Sequence, residues 1–309
     1  MESLKSNSNL ILEISFLVLL SFVWGNSFVL MKVAVESIPP LTLTAFRVTL
    51  AAAILYGVTK YYGQKMPASW SAWTFFAVQG FLQCALPYTL ISWGEKEISS
   101  GLAGVLNATP PVFVLLISLF TGTGKHMLSG RKITGTAIGM LGVISIMGFS
   151  VLSSVGSSVL LAQFAVLGAS LCYAISPLIV SRYASISPLI TSTGSMLSAS
   201  AMMLPVALVV DSPWRLTPSV DALLAAAALA VVCTALAMLM YFRLVNTLGP
   251  LITASGGYLR AGFSVLSGVL FLNERSSLST ATGMLLIVVG IMFVTVPPRK
   301  KNSEMETRN

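Results

Sequence analysis

Arg260 poses the main chemical problem of this chain. It lies ten residues into an apolar stretch that begins at Pro250, some ~15 Å along a helix rising about 1.5 Å per residue. A charge at that depth in lipid costs at least about 2.5 kcal/mol on insertion scales. No carboxylate stands mid-stretch to pair with it, since Glu13, Glu36, Asp211, Asp221 and Glu274 all fall near the ends of apolar stretches. An unpaired arginine there has to face water or a ligand, and its chemistry suits an anionic group such as an amino-acid carboxylate. Tyr258 is two residues away on another helix face, and Gly256 and Gly257 open space beside the arginine.

Other polar and aromatic residues lie at similar depth in other apolar stretches: Trp24, Asn26 and Ser27, then Gln79, Gln83 and Tyr88, then Asn107, Tyr173, Ser176 and Tyr241. Gln79 and Gln83 are four apart and share a helix face. Each alone fits glue between helices, worth about 0.6 kcal/mol on average, as well as it fits a pore lining. Together they suit a cavity for a modest, amphipathic solute. Arg47, seven residues past Pro40, reads as structural, snorkelling outward or pairing with Glu36 or a freed carbonyl. Pro110-Pro111 predicts a kink, because proline cannot donate to the carbonyl four residues back.

These residues need a scaffold, and composition says which kind. The chain has 309 residues, is 55% hydrophobic and 9% charged, and has a mean hydropathy of +0.87. A soluble domain carries about 25% charged residues, so this is an integral membrane protein, predicted all-α. The net charge of +8 is scattered over short connections and not gathered on one face, which argues against nucleic acid. Cys84, Cys172 and Cys233 have no metal-site spacing and read as small core residues. No cofactor or metal is expected.

Spans of roughly 17–25 apolar residues are predicted at about 14–34, 40–60, 70–92, 99–120, 133–151, 159–180, 188–210, 219–241, 250–271 and 279–297, ten in all. The first lacks a small-residue cleavage site and reads as a retained helix. With the N-terminus inside, Lys and Arg divide twelve to four in favour of the inner side, which predicts both termini in the cytoplasm. A bacterial inner membrane is the expected location. Glycines at 135, 139, 142, 283 and 290 form small-residue stripes on the fifth and tenth spans. They serve close packing within one chain or in a homodimer.

A shift of about 150 residues superposes the chain on itself. Ile98-Ser99 meets Leu248-Gly249, Phe113 meets Phe263, the run Gly135–Gly142 meets Gly283–Gly290, and Ser27 meets Ser176. The Ser/Gly-rich stretch Ser153–Ser158 is the seam. The repeats are 14–151 and 159–297, followed by a tail at 298–309. Five spans per half force the second half to enter the membrane inverted, an arrangement that supports alternating access around a midplane site between the halves.

In this order the pieces resemble a known family. They are Trp24-Gly25-Asn26-Ser27 with Lys32, Ala45-Phe46-Arg47, Ile98 to Ala103 leading into Pro110-Pro111-Val112-Phe113, Tyr241-Phe242-Arg243 through Gly249, Phe271 to Glu274, and Gly283 to Gly290. The halves resemble the EamA domains of the drug/metabolite transporter superfamily. The resemblance implies a ten-helix bundle of two inverted repeats that moves small metabolites, often outward. Two departures stand out. Thr123-Gly124-Lys125-His126 occupies a hairpin where a Gly-Glu is expected, and Arg260-Ala261 stands where an acidic or small residue and a proline are expected.

Exporting amino acids or related solutes is therefore the expected activity. A facilitator or channel-like pore, or an importer of nucleosides or sugars, is the alternative, and a non-transporting scaffold a remote one. A membrane enzyme would need convergent catalytic groups, such as HExxH or GxSxG with a histidine at depth, and none is present. Gly122-Thr123-Gly124-Lys125 lacks the first glycine and the final Ser/Thr of a P-loop. With neither carboxylate nor histidine at depth, facilitated or exchange transport is favoured over proton antiport.

Overall fold

A computed structural model describes residues 2–121, 129–147, 158–180 and 185–273, with a scatter of positions between 282 and 293. The hairpins at 122–128 and 274–281, the 153–157 seam, much of the expected tenth span and the 298–309 tail lie outside the described residues.

Helices account for all the regular structure described. They are α1 (Glu2–Val35), α2 (Pro40–Tyr61), α3 (Trp70–Gly94), α4 (Ser100–Leu106), α5 (Pro110–Thr121), α6 (Gly130–Met147), α7 (Ser158–Val180), α8 (Pro188–Val210), α9 (Val220–Leu248) and α10 (Pro250–Leu272). Six of them are long and apolar enough to cross a membrane: α1 from Leu10, α2, α3, α7, α8 and α9. The expected fourth span is two short helices, because Pro110 and Pro111 withdraw two N–H donors in a row.

Local sequence explains the starts. Ser69, Ser99, Ser187 and Ser219 each accept a hydrogen bond from the backbone N–H three residues on, and Pro40, Pro188 and Pro250 stand where an N–H would be unused anyway. The inner faces pack around Leu55, Phe76, Met196 and Phe242 in one cluster and Phe28, Met31, Ile91 and Leu229 in another. The outer faces are apolar and exposed, as lipid-facing surface must be. Tyr61, Tyr62 and Trp70 crown one end, and Trp93 and Trp214 the other, like interfacial aromatic belts.

The repeat is visible in the backbone. Helices α3 and α9 each contain one π turn, at Phe81–Ala85 and Val231–Leu236, starting 150 residues apart. Equivalent helices α2 and α8 lie against each other and run in opposite directions. Asp211 accepts from Thr42 at one end of the pair, and Ser187 donates to Gln64 at the other. These two equivalent helices are therefore inverted relative to each other.

The glycine stripes are used within the chain. A Cβ on Gly290 would run into the backbone of Gly135 and Gly139, and one on Gly139 into the Tyr258 ring. Gly25 likewise lets α1 touch α10 at Arg260 and Phe263.

Candidate functional site

Two backbone irregularities, one in each half, hold arginines that reach them from the opposite half. The first is the break between α4 and α5. With Pro110 and Pro111 in place, the carbonyls of Leu106 and Asn107 lose their helical donors. Leu106 O is taken by the hydroxyls of Thr109 and Ser170. Asn107 O is taken by Arg260 Nη2 at 2.6 Å. The arginine expected to lack a protein partner thus has one, because the broken helix opposite leaves a carbonyl vacant. It is a dipole and not a counter-charge, and Arg260 Nε has no partner.

The second irregularity is the π turn of α9. A π turn leaves carbonyls outside the regular ladder and recurs at functional sites. Here Cys233 O accepts from Trp24 Nε1 at 3.0 Å and from Arg47 Nη2 at 3.3 Å, while Arg47 Nε donates to Thr234 Oγ1. The freed carbonyl anticipated for Arg47 is this one. Each arginine therefore reaches from its own half into a defect of the other half.

Around these anchors are two small chambers, sharing a wall of Trp24, Gln83, Tyr173 and Arg260. One adds Ser27, Arg47, Tyr88 and Asn107; the other adds Ser21, Tyr241 and Thr253. The Arg260 guanidinium sits 5.6 Å from the Trp24 ring centre and 5.7 Å from that of Tyr173, while Arg47 lies 3.9 Å over Tyr88. These are cation–π distances, which help hold desolvated guanidiniums. Among the described residues, neither chamber has Asp, Glu or His in its wall.

Eight of the twelve residues singled out from the sequence line the chambers: Trp24, Ser27, Gln83, Tyr88, Asn107, Tyr173, Tyr241 and Arg260. The other four stand elsewhere. Gln79 and Ser176 bond to each other, and Ser176 holds the Tyr241 hydroxyl at 3.3 Å, so they brace a wall residue. A π turn starts at Phe81, after Gln79, and contains Gln83, and only Gln83 reaches the chambers. Asn26 accepts from Ser267 on the α1–α10 seam, and Tyr258 is buried against α6. Arg47 is the wall residue that sequence reasoning set aside. Its signal was the one that marked Arg260, a lone charge inside an apolar span.

Compared with known proteins, the chain matches the EamA-like transporter family twice, over residues 11–148 and 160–296. The chain belongs to the EamA-like transporter family. EamA-like relatives include the "uncharacterized inner membrane transporter YedA" of Escherichia coli, 25% identical over 90% of this chain and 88% of its own length. An "uncharacterized transporter" of Archaeoglobus fulgidus is 22% identical over 94% and 98%. A solved structure, titled only as a crystal structure of a protein, superposes with a TM-score of 0.70 at 17% identity over 92% of this chain and 97% of its own, which bears on the fold alone. The relatives are named as transporters and not as enzymes. This EamA-like chain is accordingly a multi-pass membrane transporter.

Proposed function

We propose that this protein is a secondary transporter that exports small metabolites, amino acids or related amphipathic solutes, by alternating access at a site between the two inverted repeats. The supporting observation is the pair of chambers divided by Trp24, Gln83, Tyr173 and Arg260. They are small, lined by both repeats, and carry a buried guanidinium with an N–H to spare. Alternating access needs a solute position with a wall on each side, and the layout offers one.

In this reading the chain crosses the inner membrane ten times with both termini in the cytoplasm, as the twelve-to-four division of basic residues supports. Arg260 takes the anionic group of the solute, with Trp24 and Tyr173 against its apolar part. Facilitated or exchange transport is favoured over proton antiport by the chamber walls, which hold no Asp, Glu or His among the described residues. Substrate counterflow in proteoliposomes tests the proposal. An exchanger shows saturable, trans-stimulated uptake, and Arg260→Gln lowers it for every anionic or zwitterionic solute. Linear, non-saturating flux would instead identify a pore, and unchanged flux in Arg260→Gln would remove Arg260 from the site.

A further inference from the structure

The chamber on the far side of the shared wall holds two buried arginines, not one. Arg47 is 2% exposed and Arg260 8% exposed, and the other described residues that line it with them are uncharged. The partners of their guanidiniums are uncharged as well. Arg47 donates to Cys233 O, Thr234 Oγ1 and Met31 Sδ, and Arg260 to Asn107 O. Dipoles of this kind orient a guanidinium but leave its charge in place. Two like charges walled into one small space inside the membrane are held at a large electrostatic cost unless an anion joins them. Three residues that line this space each have a buried polar atom without a hydrogen-bond partner: Arg260 Nε, Gln83 Oε1 and Tyr88 Oη.

From this charge balance we infer that the solute is a small dicarboxylate, amino- or hydroxy-substituted, whose two anionic groups meet Arg47 and Arg260 and which offers one hydrogen-bond donor to Gln83. The inference rests on the proposed site for its location but extends the reading, since a single carboxylate would leave one arginine uncompensated. A donor on the carbon chain gives Gln83 Oε1 the partner it lacks. The same balance excludes polyamines, which bring positive charges with no carboxylate to offset them.

The test is binding by the purified full chain in lipid nanodiscs, read as ligand-dependent thermal stabilisation. Probes are succinate, succinamate and succinamide, which differ only in charge, then L-malate and L-aspartate, which add a donor, and putrescine as the opposite charge. Succinate is expected to bind at least about tenfold tighter than succinamate, as loss of a charge-assisted hydrogen bond predicts. Malate or aspartate is expected to bind tighter still, and succinamide and putrescine not to bind. Arg47→Gln should bring succinate down to the succinamate level, with Arg47→Lys restoring part of the gap. Equal binding of the three succinate derivatives, a preference for putrescine, or no binding of any dicarboxylate would overturn the inference on the wild-type protein alone, whether or not the variants fold. Failure of the transport reading appears separately, as dicarboxylate binding without counterflow of any solute in proteoliposomes.

Discussion

The stretch Asn107–Pro111 and its repeat mate Gly257–Ala261 occupy equivalent places in the two halves and have opposite backbones. The first is broken, with α4 ending at Leu106 and α5 starting at Pro110; the second is an uninterrupted part of α10. All five residues differ, and the last two decide the backbone. Where one half has Pro110-Pro111, the other has Arg260-Ala261. Proline removes donors and frees carbonyls, whereas arginine supplies donors, and Arg260 bonds to the carbonyl that Pro111 leaves vacant. An inverted repeat brings equivalent positions face to face across its pseudo-axis, so a change in one copy can be answered by a change in the other. The asymmetry is thereby converted into a single contact between the halves at the chamber wall.

Making the second half resemble the first should have the largest effect. Ala261→Pro removes the N–H that closes the helix onto Gly257 and is expected to destabilise the protein by about 3 kcal/mol or more, read as loss of folded yield or a strongly lowered Tm. Next comes Arg260→Gln, which removes the charge but keeps a polar side chain of similar reach. Solute binding should weaken by about 1.5–3 kcal/mol, roughly ten- to hundredfold, in equilibrium binding on the folded variant.

Making the first half resemble the second is subtler. Pro111→Ala restores an N–H that competes with Arg260 for Asn107 O, so the break should shorten and Arg260 loosen. The expected outcome is a Tm equal to or above that of the wild type with counterflow slowed several-fold; faster counterflow would separate the break from transport. The smallest effect is expected away from the chambers. Asn26→Ala deletes the Asn26–Ser267 bond on the α1–α10 seam and should cost about 0.6 kcal/mol of stability, the average for such bonds in membranes. Solute affinity should be unchanged. A tenfold loss of affinity would bring Asn26 into the site after all.

Much of this was legible because local rules decide it. Apolar length, the Lys/Arg imbalance and the 150-residue register require no neighbours to be known, and they fix a helical membrane protein built from two copies. The proline pair announced a break, and the depth of Arg260 announced a special residue. The division between Gln83, which lines the chambers, and Gln79, which braces Tyr241 through Ser176, was not legible, because it depends on a π turn that starts after Gln79 and that no residue type signals. Tyr258 and Asn26 shared the depth and polarity of the wall residues, and only their helix faces and the approach of α6 and α10 separate them.

The sequence by itself determined the medium, the helices, the inverted duplication and the presence of two charges at depth, since each follows from composition and spacing along one chain. Tertiary structure alone decided where those charges go. Arg47 and Arg260 are 213 positions apart, and which carbonyls each finds depends on defects in helices of the opposite half. A carbonyl is freed by what its own helix lacks, but its partner is chosen by packing.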